Sequence, residues 1–113
     1  MSTVQVSLDI YATPPVTCNP KNASINQGNQ TINWVPAQNQ NFNFTSLTFE
    51  NNPTCFSTPS ITNSQISVTD NNTAAAAGDY PYTIVVTASN GQQYSSASGG
   101  ISGGTSDPTI KNK

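Results

Sequence analysis

The 113-residue chain contains no histidine, no arginine and only 3 lysines. Each shortage removes a class of function. Without histidine there is no imidazole to act as a base near neutral pH, and the commonest ligand for zinc or copper is missing. Three cations are too few for the basic footprint of a nucleic-acid binder or for a polybasic membrane patch. Charged residues make up 7% of the chain and the net charge is −2, where about 25% charged is ordinary for a soluble domain. No apolar run approaches the roughly 20 residues of a membrane helix, so no membrane insertion is expected. The segment Met1 to Ile10 has neither the basic start nor the apolar centre of a secretory signal, which makes the cytoplasm the default compartment.

In place of charge stand neutral amides and hydroxyls. Asn, Gln, Ser and Thr together supply 52 residues, 46% of the chain. With so many Asn, Ser and Thr, the four Asn-x-Ser/Thr sequons at Asn22, Asn29, Asn43 and Asn71 are about what chance delivers and carry no glycosylation argument. Cys18 and Cys55 are compatible with a disulfide or with two free thiols, depending on compartment.

Apolar residues recur with a period of two, which is the mark of half-buried strands. Val4, Val6, Leu8 and Ile10 share one face, with Gln5, Ser7, Asp9 and Tyr11 on the other; Pro14-Pro15 ends the run. Ala23 and Ile25 form a short second run before the turn residues Gln27-Gly28-Asn29, and Ile32 and Trp34 alternate with polar residues up to Pro36. Phe42 and Phe44 have opposite parity to Leu47 and Phe49, which a bulge or turn near Thr45-Ser46 reconciles. Ile66 and Val68 mark a strand ended by Asp70-Asn71-Asn72, and Tyr80, Tyr82, Ile84, Val86 and Ala88 give the longest alternation. Asn90-Gly91 is a type I′ hairpin dipeptide. Helical propensity is confined to Ala74 to Ala77, enough for one turn. Seven or so short strands spaced about ten residues apart predict a single all-β domain, an antiparallel sandwich. Ser95 to Ser106 reads as a flexible Gly/Ser stretch, and residues 107–113 as a tail.

No catalytic constellation survives inspection. Gly100-Ile101-Ser102-Gly103-Gly104 matches a hydrolase nucleophile pattern, but no helix follows it and no histidine exists to serve it. A cysteine nucleophile fails for want of the same base and of cations to lower a thiol pKa. The five carboxylates are Asp9, Glu50, Asp70, Asp79 and Asp107. Asp70 and Asp79 flank a turn, and capping turn amides is their ordinary use. A hard-cation site near Asp70, Asn71 and Asp79 has the right atoms but no recognised spacing. A blue-copper site is excluded, since it takes two histidines, a cysteine and usually a methionine, and the sole methionine is Met1. No catalytic residue, cofactor or metal ligand is therefore assigned.

Trp34 in Ile-Asn-Trp resembles the core tryptophan of immunoglobulin-like sandwiches, and Ala77-Gly78-Asp79-Tyr80-Pro81-Tyr82 resembles their tyrosine corner, with Tyr80 as the corner residue. Tyr82 stands where a true immunoglobulin domain has cysteine, so the likeness is architectural. A closer likeness lies in Tyr80-Pro-Tyr-Thr-Ile-Val-Val, the terminal Asp107-Pro-Thr-Ile-Lys-Asn, the Val4 to Ile10 strand, Thr17-Cys18 and Gln27-Gly-Asn. In these the chain resembles the small bacterial DP-EP family. The resemblance implies a β-sandwich, brings no catalytic residues, and makes the Gly/Ser stretch an insertion after which the tail docks through Ile110. The expectation is a non-catalytic binding or assembly module whose partner, a protein or a carbohydrate, the sequence does not specify. Two rivals accompany it: a carbohydrate-binding module with Tyr11 and Tyr94 as stacking platforms, and a self-assembling structural protein, a homo-oligomer favoured by low charge.

Overall fold

The structure, a computed structural model, describes residues 2–51, 53–97 and 108–113. Ten strands form two sheets packed face to face, an all-β sandwich. In the first sheet the order is β2 (Val16–Asn19), β1 (Ser2–Leu8), β4 (Gly28–Pro36), β7 (Ile66–Asn72) and β6 (Ser60–Ile61). In the second it is β3 (Asn22–Ile25), β10 (Thr109–Asn112), β8 (Gly78–Ala88) and β5 (Phe42–Phe49), with β9 (Gln93–Ser95) also against β8. A single 3-10 turn at Ala74–Ala76 is the only helical element among the described residues.

Two expectations need correction. The strands number ten rather than about seven, because β2, β3, β6, β9 and β10 are two to four residues long, too short to show a period. The sheets are mixed rather than antiparallel: β1 runs parallel to β4, with Val4 opposite Trp34, and β10 runs parallel to β3, with Ile110 opposite Ala23. Alternation says which side chains point inward but not which strand lies alongside.

The core forms where the two inner faces meet. Val4, Val6, Ile32, Trp34, Ile66 and Val68 come from one sheet, and Ile25, Tyr82, Ile84, Val86 and Ile110 from the other, all essentially inaccessible. Each such large side chain contributes about 1.5–3 kcal/mol through removal from water. Trp34 crosses the interface: its Nε1 donates to the Tyr82 hydroxyl at 3.0 Å, and the two rings meet edge to face at 5.4 Å. A buried indole N–H needs such a partner. The parity change in β5 is a register shift between Phe44 and Ser46, which lets Phe44 and Leu47 both face the core.

Other turns depart from expectation. β1 stops at Leu8, so Ile10 leaves the inward face and is exposed. Asp9 instead organises the turn, accepting from Tyr11 N at 3.0 Å. At Asn90-Gly91 only Gly91 has a positive φ, +84°. Gly91 N donates to Ala88 O and Ala88 N to Gln92 O, so the loop is the three-residue kind with a left-handed glycine, not type I′.

The stretch expected to be soft begins packed. Ser95 belongs to β9, and Ser96 and Ala97 are buried. Ser96 N donates to Ile84 O, and Ser96 Oγ accepts from Ile84 N. Residues 98–106, the hydrolase-like motif among them, and Asp107 lie outside the described residues. The chain resumes with Pro108 O accepting from Tyr82 N, and the tail is an integral strand with Ile110 fully buried. Ser95 faces Val85 and Thr109 faces Pro81: four positions back along β8 but fourteen onward along the chain. Thus β9 and β10 follow one line beside β8, with ten residues in excess between them.

Candidate functional site

The two tyrosines expected to stack on a ligand do not share a surface. Tyr11 projects from the turn after β1, 91% exposed, while Tyr94 sits on β9 in the other sheet and packs partly against the core. The Tyr94 hydroxyl is engaged by Asn90 and Gln92 side chains. Tyr11 is available but solitary; Tyr94 is half-buried and tied.

A larger concavity lies at the end of the sandwich where β7 finishes and β8 begins. It encloses about 410 Å³ and is lined by Pro53, Thr54, Cys55, Asn71, Thr73 and Tyr80, with Ala75 and Ala76 from the 3-10 turn. None of these residues carries a formal charge. The wall is held by short backbone bonds: Asn71 N donates to Cys55 O at 2.8 Å, and Ala76 N to Thr73 O at 2.9 Å. Tyr80 is anchored by its hydroxyl, which donates to Ala76 O at 2.8 Å.

Behind this wall lies a buried polar group. Asp70 is wholly inaccessible, and its Oδ1 accepts from Asn112 Nδ2 at 3.2 Å. The same amide reaches Ala76 O at 3.2 Å and Cys55 Sγ at 3.9 Å. Asn72 Nδ2 donates to Ile25 O and Asn26 O. Asp70 Oδ2, Asn72 Oδ1 and Asn112 Oδ1 are buried without a partner among the described residues. All three are acceptors in need of a donor. Desolvation raises the Asp70 pKa, against the Asn112 bond that lowers it, so the group favours the proton that would supply one.

This cluster does not activate its cysteine. Burial first, and the Asp70 charge second, push the Cys55 thiol upward, which disfavours the nucleophilic thiolate. Cys18 lies elsewhere, beside Tyr82, and burial drives its thiol to about 11. The cysteines are two free thiols rather than a disulfide. The cation site imagined around Asp70, Asn71 and Asp79 is not assembled: Asp79 is exposed and paired with Lys111 at 3.3 Å, while Asp70 faces inward.

Sequence reasoning missed Asp70, Asn72 and Asn112 as interior residues. The signal was present. Asp70 and Asn72 continue the parity of Ile66 and Val68, and Asn112 that of Ile110. Reading polar residues as the end of a strand concealed it; β7 in fact runs on to Asn72.

No helix among the described residues is long and apolar enough to cross a membrane. Compared with protein-family models and with curated proteins, the chain has no match.

Proposed function

We propose that the chain is a non-catalytic binding module that takes a neutral, hydrogen-bonding ligand in the 410 Å³ cleft beside Tyr80. The observation that carries this reading is the lining: amide and hydroxyl groups from Thr54, Asn71, Thr73 and Tyr80, apolar support from Pro53, Ala75 and Ala76, and no charge. Pockets of this size with a few placed polar groups are the usual form of a small-ligand site. Catalysis is disfavoured by chemistry, since the one thiol at the cleft is held protonated and no base stands beside it. A neutral cleft gives no electrostatic steering, so association would be insensitive to salt. The likeness to the DP-EP family belongs to this proposal as a statement about ancestry and adds nothing to the site.

The test is a nuclear magnetic resonance titration with neutral oligosaccharides and uncharged short peptides. Shifts concentrated at Thr54, Asn71, Thr73 and Tyr80, weakened in Asn71→Ala and Thr54→Val, are expected. Ligand-induced shifts centred on Tyr11 would instead favour the solitary-tyrosine carbohydrate platform. No shift at the cleft with any neutral ligand would remove the proposal.

A further inference from the structure

An unpaired sheet edge invites another strand, and most edges in natural sandwiches are shortened, charged or interrupted by proline. Three of the four edges here follow that rule. β2 has four residues between Pro14-Pro15 and Pro20; β3 has four, preceded by Pro20-Lys21; β6 has two, preceded by Pro59. β5 differs, with eight residues and neither proline nor charge within them. Its first half is closed by the register shift after Phe44 and by Asn63, whose carbonyl accepts from Phe44 N at 3.1 Å.

The second half is open. Glu50 N donates to Pro81 O on β8, and in an antiparallel ladder successive residues alternate between facing the partner and facing away. Leu47 and Phe49 therefore turn their N–H and C=O groups away from β8, while their side chains stay in the core. Alongside runs a groove of about 280 Å³, walled by Leu47, Thr48 and Phe49 on one side and by Phe56, Ser57, Thr58 and Pro59 on the other. No wall residue is charged.

We propose that this groove accepts one extended, uncharged strand of another protein, added to the outer edge of β5. Leu47 and Phe49 supply the main-chain bonds, and the groove receives alternate side chains of the incoming segment, the usual division of labour in strand addition. The occupant is a lone strand and not a second copy of this sandwich. The Phe56 ring lies flat on Phe49 with centroids 3.9 Å apart, filling the space that a second copy's own inward Leu47 and Phe49 side chains would need. The inference is independent of the cleft beside Tyr80, which has a different lining.

The experiment uses the full chain, isotope-labelled, and the peptide acetyl-Thr-Val-Thr-Val-Thr-amide as probe, with its fully N-methylated analogue as control. Expected is movement of the Leu47 and Phe49 amide signals and a slowing of their hydrogen exchange by about tenfold or more, with no effect from the analogue. Four results overturn the proposal: no change at millimolar peptide, equal response to the N-methylated analogue, changes centred elsewhere, or slowing of the same amides by protein concentration alone, which would mean self-pairing.

Discussion

Two tyrosines stand two residues apart on β8, each beside a cysteine, and their surroundings differ. Tyr82 is sealed, its hydroxyl accepting from Trp34 and lying against Cys18, with Phe49 at 5.7 Å on the ring side. Tyr80 is half-buried, lines the cleft, and shares its neighbourhood with Cys55 and Asp70. Burial is the leading reason that both hydroxyls and both thiols hold their protons more tightly than usual. At Tyr82 the indole N–H has its acceptor, whereas the group behind Tyr80 retains buried acceptors without donors. The same pair of residue types thus serves as a closed core contact in one place and as the support of an incompletely satisfied polar wall in the other.

The contrast can be tested from its largest consequence downward. With its pKa near 11, only about one Cys18 in a thousand is thiolate at pH 8. Alkylation at that pH is expected to accelerate by about a hundredfold when denaturant restores an ordinary thiol; equal rates in the folded and unfolded chain would contradict the sealed environment. Tyr82→Phe strips the buried Trp34 N–H of its acceptor, and a loss of about 1–3 kcal/mol in denaturant unfolding is expected. Tyr80→Phe removes only the bond to Ala76 O, at a cost of about 0.5–1.5 kcal/mol; a larger loss than that of Tyr82→Phe would invert the comparison. Asp70 sets a pH dependence. Its folded-state pKa is raised, so the native state binds the proton more tightly. Its contribution to stability is fullest below the ordinary carboxylate value and is lost as pH rises through the folded value. Asp70→Asn is expected to flatten that segment of the stability profile, measured by thermal unfolding from pH 3 to 7. Smallest of all, Tyr11→Ala should change stability by no more than about 0.5 kcal/mol, since the side chain is 91% exposed.

Much of the sandwich was legible because period two is a direct statement about faces. Val4 and Val6, Ile32 and Trp34, and the run from Tyr80 to Val86 identified their strands. The parity conflict between Phe44 and Leu47 located the irregularity in β5. Partnership was not legible: nothing in the alternation of β1 says that it runs parallel to β4. Nor were strands of two to four residues, whose order comes from neighbours rather than from pattern. The cleft was hidden for a different reason. Thr54, Cys55 and Tyr80 come from distant parts of the chain, and the inward carboxylate of Asp70 breaks the rule that polar residues mark a surface or an end. Tyr11 and Tyr94 were chosen as exposed aromatics, and sequence spacing could not reveal that they belong to different sheets.

The ten-residue excess between β9 and β10 has a consequence for building with this scaffold. A strand line that leaves β8 at Ala97 and returns at Pro108 on a ten-residue register offset is a natural graft point. Joining Ala97 directly to Pro108 would restore an uninterrupted strand, and exchanging the intervening residues for a foreign loop would leave both anchoring bonds in place. The molecule can be treated as a frame with one interchangeable panel, whose length the sandwich itself does not dictate.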